Sequence, residues 1–367
     1  MTSLIKQEKF LLLSAVAAIG FHFAEHSLIA SGQTVALMAA VLLIAVIVLA
    51  STRVAHHAEV LAHKVGDPYG TMILTLSAVA VEVIILAILM SHADSPTLVR
   101  DTIYSAVMLD INGILGLAAL LGGLRHGEQP YNDNSGKTYG VMILTAMGIS
   151  MIVPEFIPEA KWHYYSAFTI LAMVALYGLF LRMQVGPHSY FFSYSYPKPK
   201  STAPSVYGAQ DEEPAKDNTT VSIVIILIGV VLIGVLAEYM SAFIDTGLEG
   251  TGSPPALMAV IVAAISAAPE ILTALRAALR NRMQSVVNIA MGASLSTVIL
   301  TVPVMEAIAL YSGQPFVMAM SPVQTVMVAI TLIAAAINLN DGETNAIEGM
   351  THFVLFATFL MLTVLGL

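Results

Sequence analysis

The sequence predicts an all-α polytopic membrane protein with about eleven transmembrane helices, one N-terminal helix followed by two inverted five-helix repeats. Composition is the first observation behind this. The chain is 57 % hydrophobic and 11 % charged, with a mean hydropathy of +0.82, where a soluble domain carries about 25 % charged residues. Apolar runs are the second. A helix needs about 20 apolar residues to cross a bilayer, and candidates lie near 10–30, 33–50, 69–91, 98–123, 139–157, 163–182, 220–241, 254–275, 285–310, 317–337 and 346–366. Basic residues are the third. With the N-terminus in the cytoplasm, 13 of the 15 Lys and Arg residues fall in cytoplasmic segments, and only Arg100 and Lys161 fall outside. Such asymmetry is the positive-inside signature, and a wrong helix count would scramble it.

The elements follow in order. Residues 1–32 hold the N-terminal helix, the weakest of the spans because "FHFAEHS" places His22, Glu25 and His26 near its end. No A-x-A cleavage site follows it, so it is expected to be retained. Residues 33–185 form the first five-helix repeat. Residues 186–219, "GPHSYFFSYSYPKPKSTAPSVYGAQDEEPAKDNT", read as a cytoplasmic linker rich in proline, serine and charge. Residues 220–367 form the second repeat, and the C-terminus is expected outside. Five is an odd number of crossings, so the second repeat enters from the opposite side. That is the layout of many secondary transporters, whose sites lie near the midplane at the repeat interface.

Composition also excludes functions. No cysteine is present, which rules out thiolate metal sites and leaves oxygen as the default ligand for an ion. A net charge of −9 argues against a nucleic-acid partner. The expected partners are membrane lipid and an inorganic cation, with no cofactor. No Gly-x-Gly-Asp, serine–lysine or His-Glu-x-x-His signature suggests an intramembrane enzyme. His56, His57 and His63 lie on a basic stretch expected to be a solvated amphipathic segment.

The informative residues are intramembrane acids. "LTLSAVAVEVIILAIL" carries Glu82 with Ser77 before it; "VAAISAAPEILTAL" carries Glu270 with Ser266 before it. A charge at the bilayer centre costs roughly 2.5–3.5 kcal/mol on insertion scales. Pro269, directly ahead of Glu270, removes a backbone donor and breaks a helix. The freed carbonyls need a partner, and a cation supplies one. Each acid is followed by a polar-dotted helix, "YSAVMLDINGILGLAALLGG" in front and "NIAMGASLSTVILTVP" behind.

At these residues the chain resembles the calcium/cation–proton antiporter superfamily, and within it the bacterial ChaA-type proteins. The resemblance runs from about residue 51 to the C-terminus. It is carried by "RVAHHAEVLAHKVGDPYGTMILTLS", "GGLRHGEQPYN", "AEYMSAF" and "NLNDGETNAIEG". It implies an eleven-helix protein of the inner membrane that exports a cytosolic cation, Ca2+ or else Na+ or K+, in exchange for protons. The family's two binding glutamates map onto Glu82 and Glu270. Its small polar residues map near Asp110, Asn112, Ser294, Ser296 and Thr297. The family's glycine–asparagine ahead of each glutamate is absent, as "SAVAVE" and "SAAPE" show. That removes a neutral oxygen from each half and leaves Ca2+, Na+ and K+ open. A passive cation channel is the alternative.

Overall fold

The structure is a computed structural model that describes residues 8–65, 69–92, 95–186, 188–196, 219–252, 254, 256–313 and 316–367. The helices are α1 (Lys9–Ala30), α2 (Gln33–Val65), α3 (Tyr69–His92), α4 (Leu98–Met108), α5 (Gly116–His126), α6 (Asp133–Met147) and α7 (Trp162–Val185) in the front half. The back half holds α8 (Thr219–Leu248), α9 (Ala256–Ser266), α10 (Ala268–Leu279), α11 (Met283–Ser296), α12 (Val302–Ser312), α13 (Pro322–Asn338) and α14 (Ala346–Val364). Among the described residues, eight helical stretches are long and apolar enough to cross a membrane, nine if the bent pair α9–α10 is one span. The apolar stretches Thr75–Ser91 and Pro322–Asn338 are shorter, so length alone does not fix the expected count of eleven. Many large apolar side chains point outward, among them Phe23, Leu124, Leu171 and Ile337, as a lipid-facing surface requires.

Three α-helical runs pass through wider π-turns, at Leu109–Leu115 between α4 and α5, at Gly148–Ile152 after α6 and at Thr297–Thr301 between α11 and α12. The halves interlock: α2 packs along α8, α4 against α9, α5 against α10, and α11 against the Leu109–Leu115 turn.

Two of the motifs that carry the resemblance meet. Gln129–Pro130 (β1) pairs antiparallel with Glu343–Thr344 (β2), Gln129 opposite Thr344 and Pro130 opposite Glu343. The backbone explains "NDGETN". Gly342 adopts φ +82°, open to glycine at no steric cost. Asn345 Oδ1 then caps α14, accepting from the N–H groups of Ile347 and Glu348 at 2.9 and 3.2 Å. Gln129 Nε2 donates to Ala278 O and Asn281 Oδ1, both at 3.0 Å. The pairing thereby holds the far end of the helix that begins beside Glu270.

Most of the expected linker, 197–218, and His63's side chain lie outside the described residues. The described part departs from a free linker. Asn132 Nδ2 donates to Tyr190 O and Ser193 O at 2.8 and 3.1 Å, and Asn288 Nδ2 donates to Phe192 O at 2.8 Å. Phe192 packs edge-on against Tyr139 and Phe180. Aromatics within the "SYFFSYSY" run anchor what proline and serine suggested would be loose.

His57 also departs from expectation. It is 1 % exposed. Its Nε2 lies 3.1 Å from Glu8 Oε1 and its Nδ1 3.2 Å from Ser222 Oγ. Arg53 completes the group, with NH2 2.6 Å from Glu8 Oε1. Burial pushes the Glu8 carboxyl up, but the hydrogen bonds and charges of Arg53 and His57 outweigh it and hold Glu8 below its ordinary value of 4.5. A depressed carboxyl contributes stability that is complete above the unfolded value and lost as pH falls through the folded one. Hydrogen exchange around Lys9–Ala30 is therefore expected to rise below about pH 4.5, and Glu8→Gln to abolish that rise.

Candidate cation site

Pro269 does what its sequence position suggested. The helix breaks at Ala267, α9 and α10 meet at 57°, and Pro269 and Glu270 occupy the first turn of α10. Proline is tolerated there because its missing N–H would be unpaired in any case. The positive end of α10 lies beside the Glu270 carboxylate, an arrangement that favours negative charge. The front half differs, because α3 runs unbroken through Glu82.

A cavity of about 830 Å³ lies between the halves. Glu82, Asp110, Ser266, Glu270, Ser296 and Thr297 line it. Thus α3, the first π-turn, the α9–α10 break and α11 with its following π-turn bring six of the nine residues singled out in sequence into the lining of one cavity. Asp110 lies within electrostatic reach of both glutamates. Glu82 Oε2 accepts from Thr297 Oγ1 at 3.0 Å and Thr301 Oγ1 at 3.1 Å. Asp110 Oδ2 accepts from Ser294 Oγ at 3.2 Å. Glu82 Oε1 and Glu270 Oε2 are buried without a hydrogen-bond partner among the described residues. Leaving buried polar oxygens unpaired is expensive, so these two are the atoms ready for a ligand.

The remaining residues are placed elsewhere. Ser294 reaches the cavity only through Asp110. Ser77 Oγ donates to Ile73 O at 2.8 Å and is not part of the wall. Asn112 is wholly buried but faces α13 and α14. Thr301 was not singled out in sequence; its signal was the four-residue spacing from Thr297, which sets both hydroxyls near one face. Among the described residues, no three His, Cys, Asp or Glu side chains are gathered closely enough to hold a metal ion. The carboxylates are spread along a wide cavity rather than collected into one shell.

The cavity runs toward the end of the protein where residues 184–193 lie. Gln184, Ser189, Tyr190, Ser193, Ser285 and Asn288 line it, on the face that sequence reading assigns to the cytoplasm. The opposite face is latched. Asp101 accepts from Thr97 Oγ1 at 2.9 Å, Arg100 Nε at 2.9 Å and Gln324 Nε2 at 2.8 Å, while Arg100 NH1 donates to Ala319 O at 2.8 Å. Of these, the Gln324–Asp101 and Arg100–Ala319 bonds join α4 to the segment around the start of α13, so Asp101→Asn is expected to loosen that junction. The chain's lack of cysteine makes the test clean. A single Ala106→Cys, in the cavity wall, should react with a membrane-impermeant thiol reagent from the Arg100 face several times faster when Asp101→Asn is added.

Comparison with known proteins agrees with this architecture. The family described as "Sodium/calcium exchanger protein" matches in two blocks, residues 35–186 and 221–365. The chain is 32 % identical over 335 residues to the sodium-potassium/proton antiporter ChaA of Escherichia coli, covering 90 % of each. It is also 32 % identical over 314 residues to a putative ionic transporter, y4hA, of Sinorhizobium fredii, covering 84 % of this chain and 83 % of that one. Among solved structures, the selenium-substituted Ca2+/H+ antiporter YfkE superposes with TM-score 0.75 at 18 % identity, over 97 % of this chain and 99 % of that one. The H+/Ca2+ exchanger CAX superposes with TM-score 0.63 at 15 % identity, over 97 % and 88 %. At such identity these structures speak for the fold alone. The two-block match and the 32 % identity across nine-tenths of ChaA carry more: this chain belongs to the sodium/calcium exchanger protein family.

Proposed function

We propose that the protein is a secondary antiporter that moves a cytosolic cation outward in exchange for protons, with Glu82 and Glu270 binding the two alternately. The observation that carries this reading is one cavity lined by both glutamates, each with a buried oxygen that no group among the described residues satisfies. A cation and protons then compete for the same oxygens. Two carboxylates in low dielectric are costly to leave empty and ionised; loaded with either a cation or protons, they are cheap to carry across the barrier. That difference couples the fluxes, since only a loaded site lets the halves rock between access states.

Ca2+ takes six to eight oxygens, commonly carboxylate, carbonyl and water. Glu82, Glu270 and Asp110 supply charge, and Ser266, Ser296 and Thr297 hydroxyls. Closure of the cavity would gather them. The relatives differ in cargo, Na+ and K+ for ChaA of E. coli and Ca2+ for an antiporter of Aphanothece halophytica at 24 % identity. We propose Ca2+ as the cargo, with Na+ and K+ as competitors. We place the protein in a bacterial inner membrane, crossing eleven times with its N-terminus cytoplasmic and its C-terminus outside.

The test is coupling in everted vesicles. An imposed pH gradient should drive uphill accumulation of Ca2+, Na+ or K+, each supplied in turn. Downhill movement alone, unaffected by the pH gradient, is the channel result and would overturn the proposal.

A further inference from the structure

We infer that Asn112, Thr331 and His352 form a positioning network that sets cation affinity from outside the cavity, by fixing the π-turn that carries Asp110. This rests on the reading of the cavity as the cation site.

The three side chains are 0, 0 and 2 % exposed, deep among apolar neighbours. Asn112 Nδ2 donates to Thr331 Oγ1 at 2.7 Å, and Asn112 Oδ1 lies 2.9 Å from His352 Nδ1. Met108 Sδ sits 3.7 Å from Asn112 Nδ2 and 3.6 Å from Thr331 Oγ1. His352 Nε2 has no partner among the described residues, and that holds whichever way round the Asn112 amide is oriented. Three polar groups and one orphaned nitrogen are a heavy burden for an intramembrane core. The network must therefore secure something that apolar packing cannot.

What it secures is rotation. Asp110 and Asn112 stand two residues apart on the Leu109–Leu115 turn, so they project to opposite sides of it. Asp110 faces the cavity and accepts from Ser294; Asn112 faces α13, which bears Thr331, and α14, which bears His352. Gly116 brings α14 close enough, since a Cβ there would stand 2.8 Å from His352 Cβ. A π-turn is an irregular, strained device, and side-chain anchors on its outer side hold its inner side in register. Asn112 is then a positioning residue rather than a ligand, because both ends of its amide are engaged away from the cavity.

The experiment reads binding without transport. Purified protein is treated with a hydrophobic carbodiimide, which modifies buried carboxyls, and the concentration of Ca2+, Na+ or K+ giving half-protection is measured. Uptake in vesicles supplies the KM and maximal rate. Thr331→Val and His352→Leu, which leave every cavity group in place, are each expected to raise half-protection and KM about tenfold, the equivalent of one buried hydrogen bond. Thr331→Ser and His352→Asn keep a polar group in reach and should stay near wild type. The Thr331→Val/His352→Leu pair should fall short of the product of the singles, since both act through Asn112. If His352→Leu does not fold by gel filtration, the Thr331→Val and Thr331→Ser comparison decides. Wild-type affinity in Thr331→Val and His352→Leu, with affinity lost only in Asn112→Ala, would overturn the network and make Asn112 a ligand. Failure of all three cations to protect wild-type carboxyls would instead overturn the cavity as the cation site, and the network's role with it.

Discussion

Glu270→Gln and Glu82→Gln are each expected to lower coupled exchange by about two orders of magnitude while the protein folds normally. Glutamine keeps the shape and one oxygen, so the cavity wall survives. What it removes is the charge a cation needs and the oxygen a proton can occupy. Losing one charged ligand oxygen is worth roughly 3 kcal/mol, close to a hundredfold. The two substitutions should differ in residual behaviour. Glu82 Oε2 already holds two threonine hydroxyls, and an amide oxygen can accept the same bonds. Glu270 stands at the head of α10 with no side-chain donor among the hydrogen bonds of the site. Its loss should leave the break at Ala267 intact but empty of charge. Initial rates in everted vesicles, with protein amount fixed by gel filtration, check both. Exchange at the wild-type rate in either variant would remove that carboxylate from the mechanism.

The second large effect is on folding. Gly349→Leu is expected to abolish recovery of monodisperse protein. α5 and α14 cross at glycines from both sides, as helices in lipid do where close backbone contact replaces the hydrophobic effect. A Cβ at Gly349 would stand 2.7 Å from Ala119 C and Gly116 O and run into Leu120 N; one at Gly123 would stand 2.8 Å from Ala346 Cα. All are backbone atoms that cannot swing aside. Separating the helices would pull His352 from Asn112 and strain the β1–β2 pairing at the neighbouring helix ends. Gly178→Ala is the control: among the described residues nothing lies within 4 Å of its new methyl, and alanine favours helix by about 1 kcal/mol. It should match or exceed wild type in fluorescence-detected gel filtration after heating, whereas Gly349→Leu should elute as aggregate. A monodisperse Gly349→Leu would show that the two helices can part freely.

The legible part of the structure was what composition and local rules dictate. Long apolar runs gave the helices, Pro269 marked the break, uncompensated intramembrane charge pointed to Glu82 and Glu270, and the family resemblance pointed to Asp110. Less legible was anything decided by partners distant in sequence. A two-residue ladder such as Gln129–Pro130 with Glu343–Thr344 has no periodicity to read, though both motifs that contain it stood out. The π-turns depend on how carbonyls pair inside a helix, which residue type reports poorly. Asn112 illustrates the consequence: its polarity was evident, but its direction is set by Thr331 and His352, more than 200 positions later in the chain. His57 looked solvated because its neighbours in sequence are polar, while its neighbours in space are Glu8 and Ser222.

The most direct test of competition between metal and protons at one site is proton release by purified protein in weakly buffered detergent, followed with a pH dye as Ca2+ is added. The account predicts that binding expels protons from the wild type, that either glutamine variant expels fewer, and that the Glu82→Gln/Glu270→Gln pair expels none. Ca2+ binding with no proton release, or release undiminished in that pair, would contradict it.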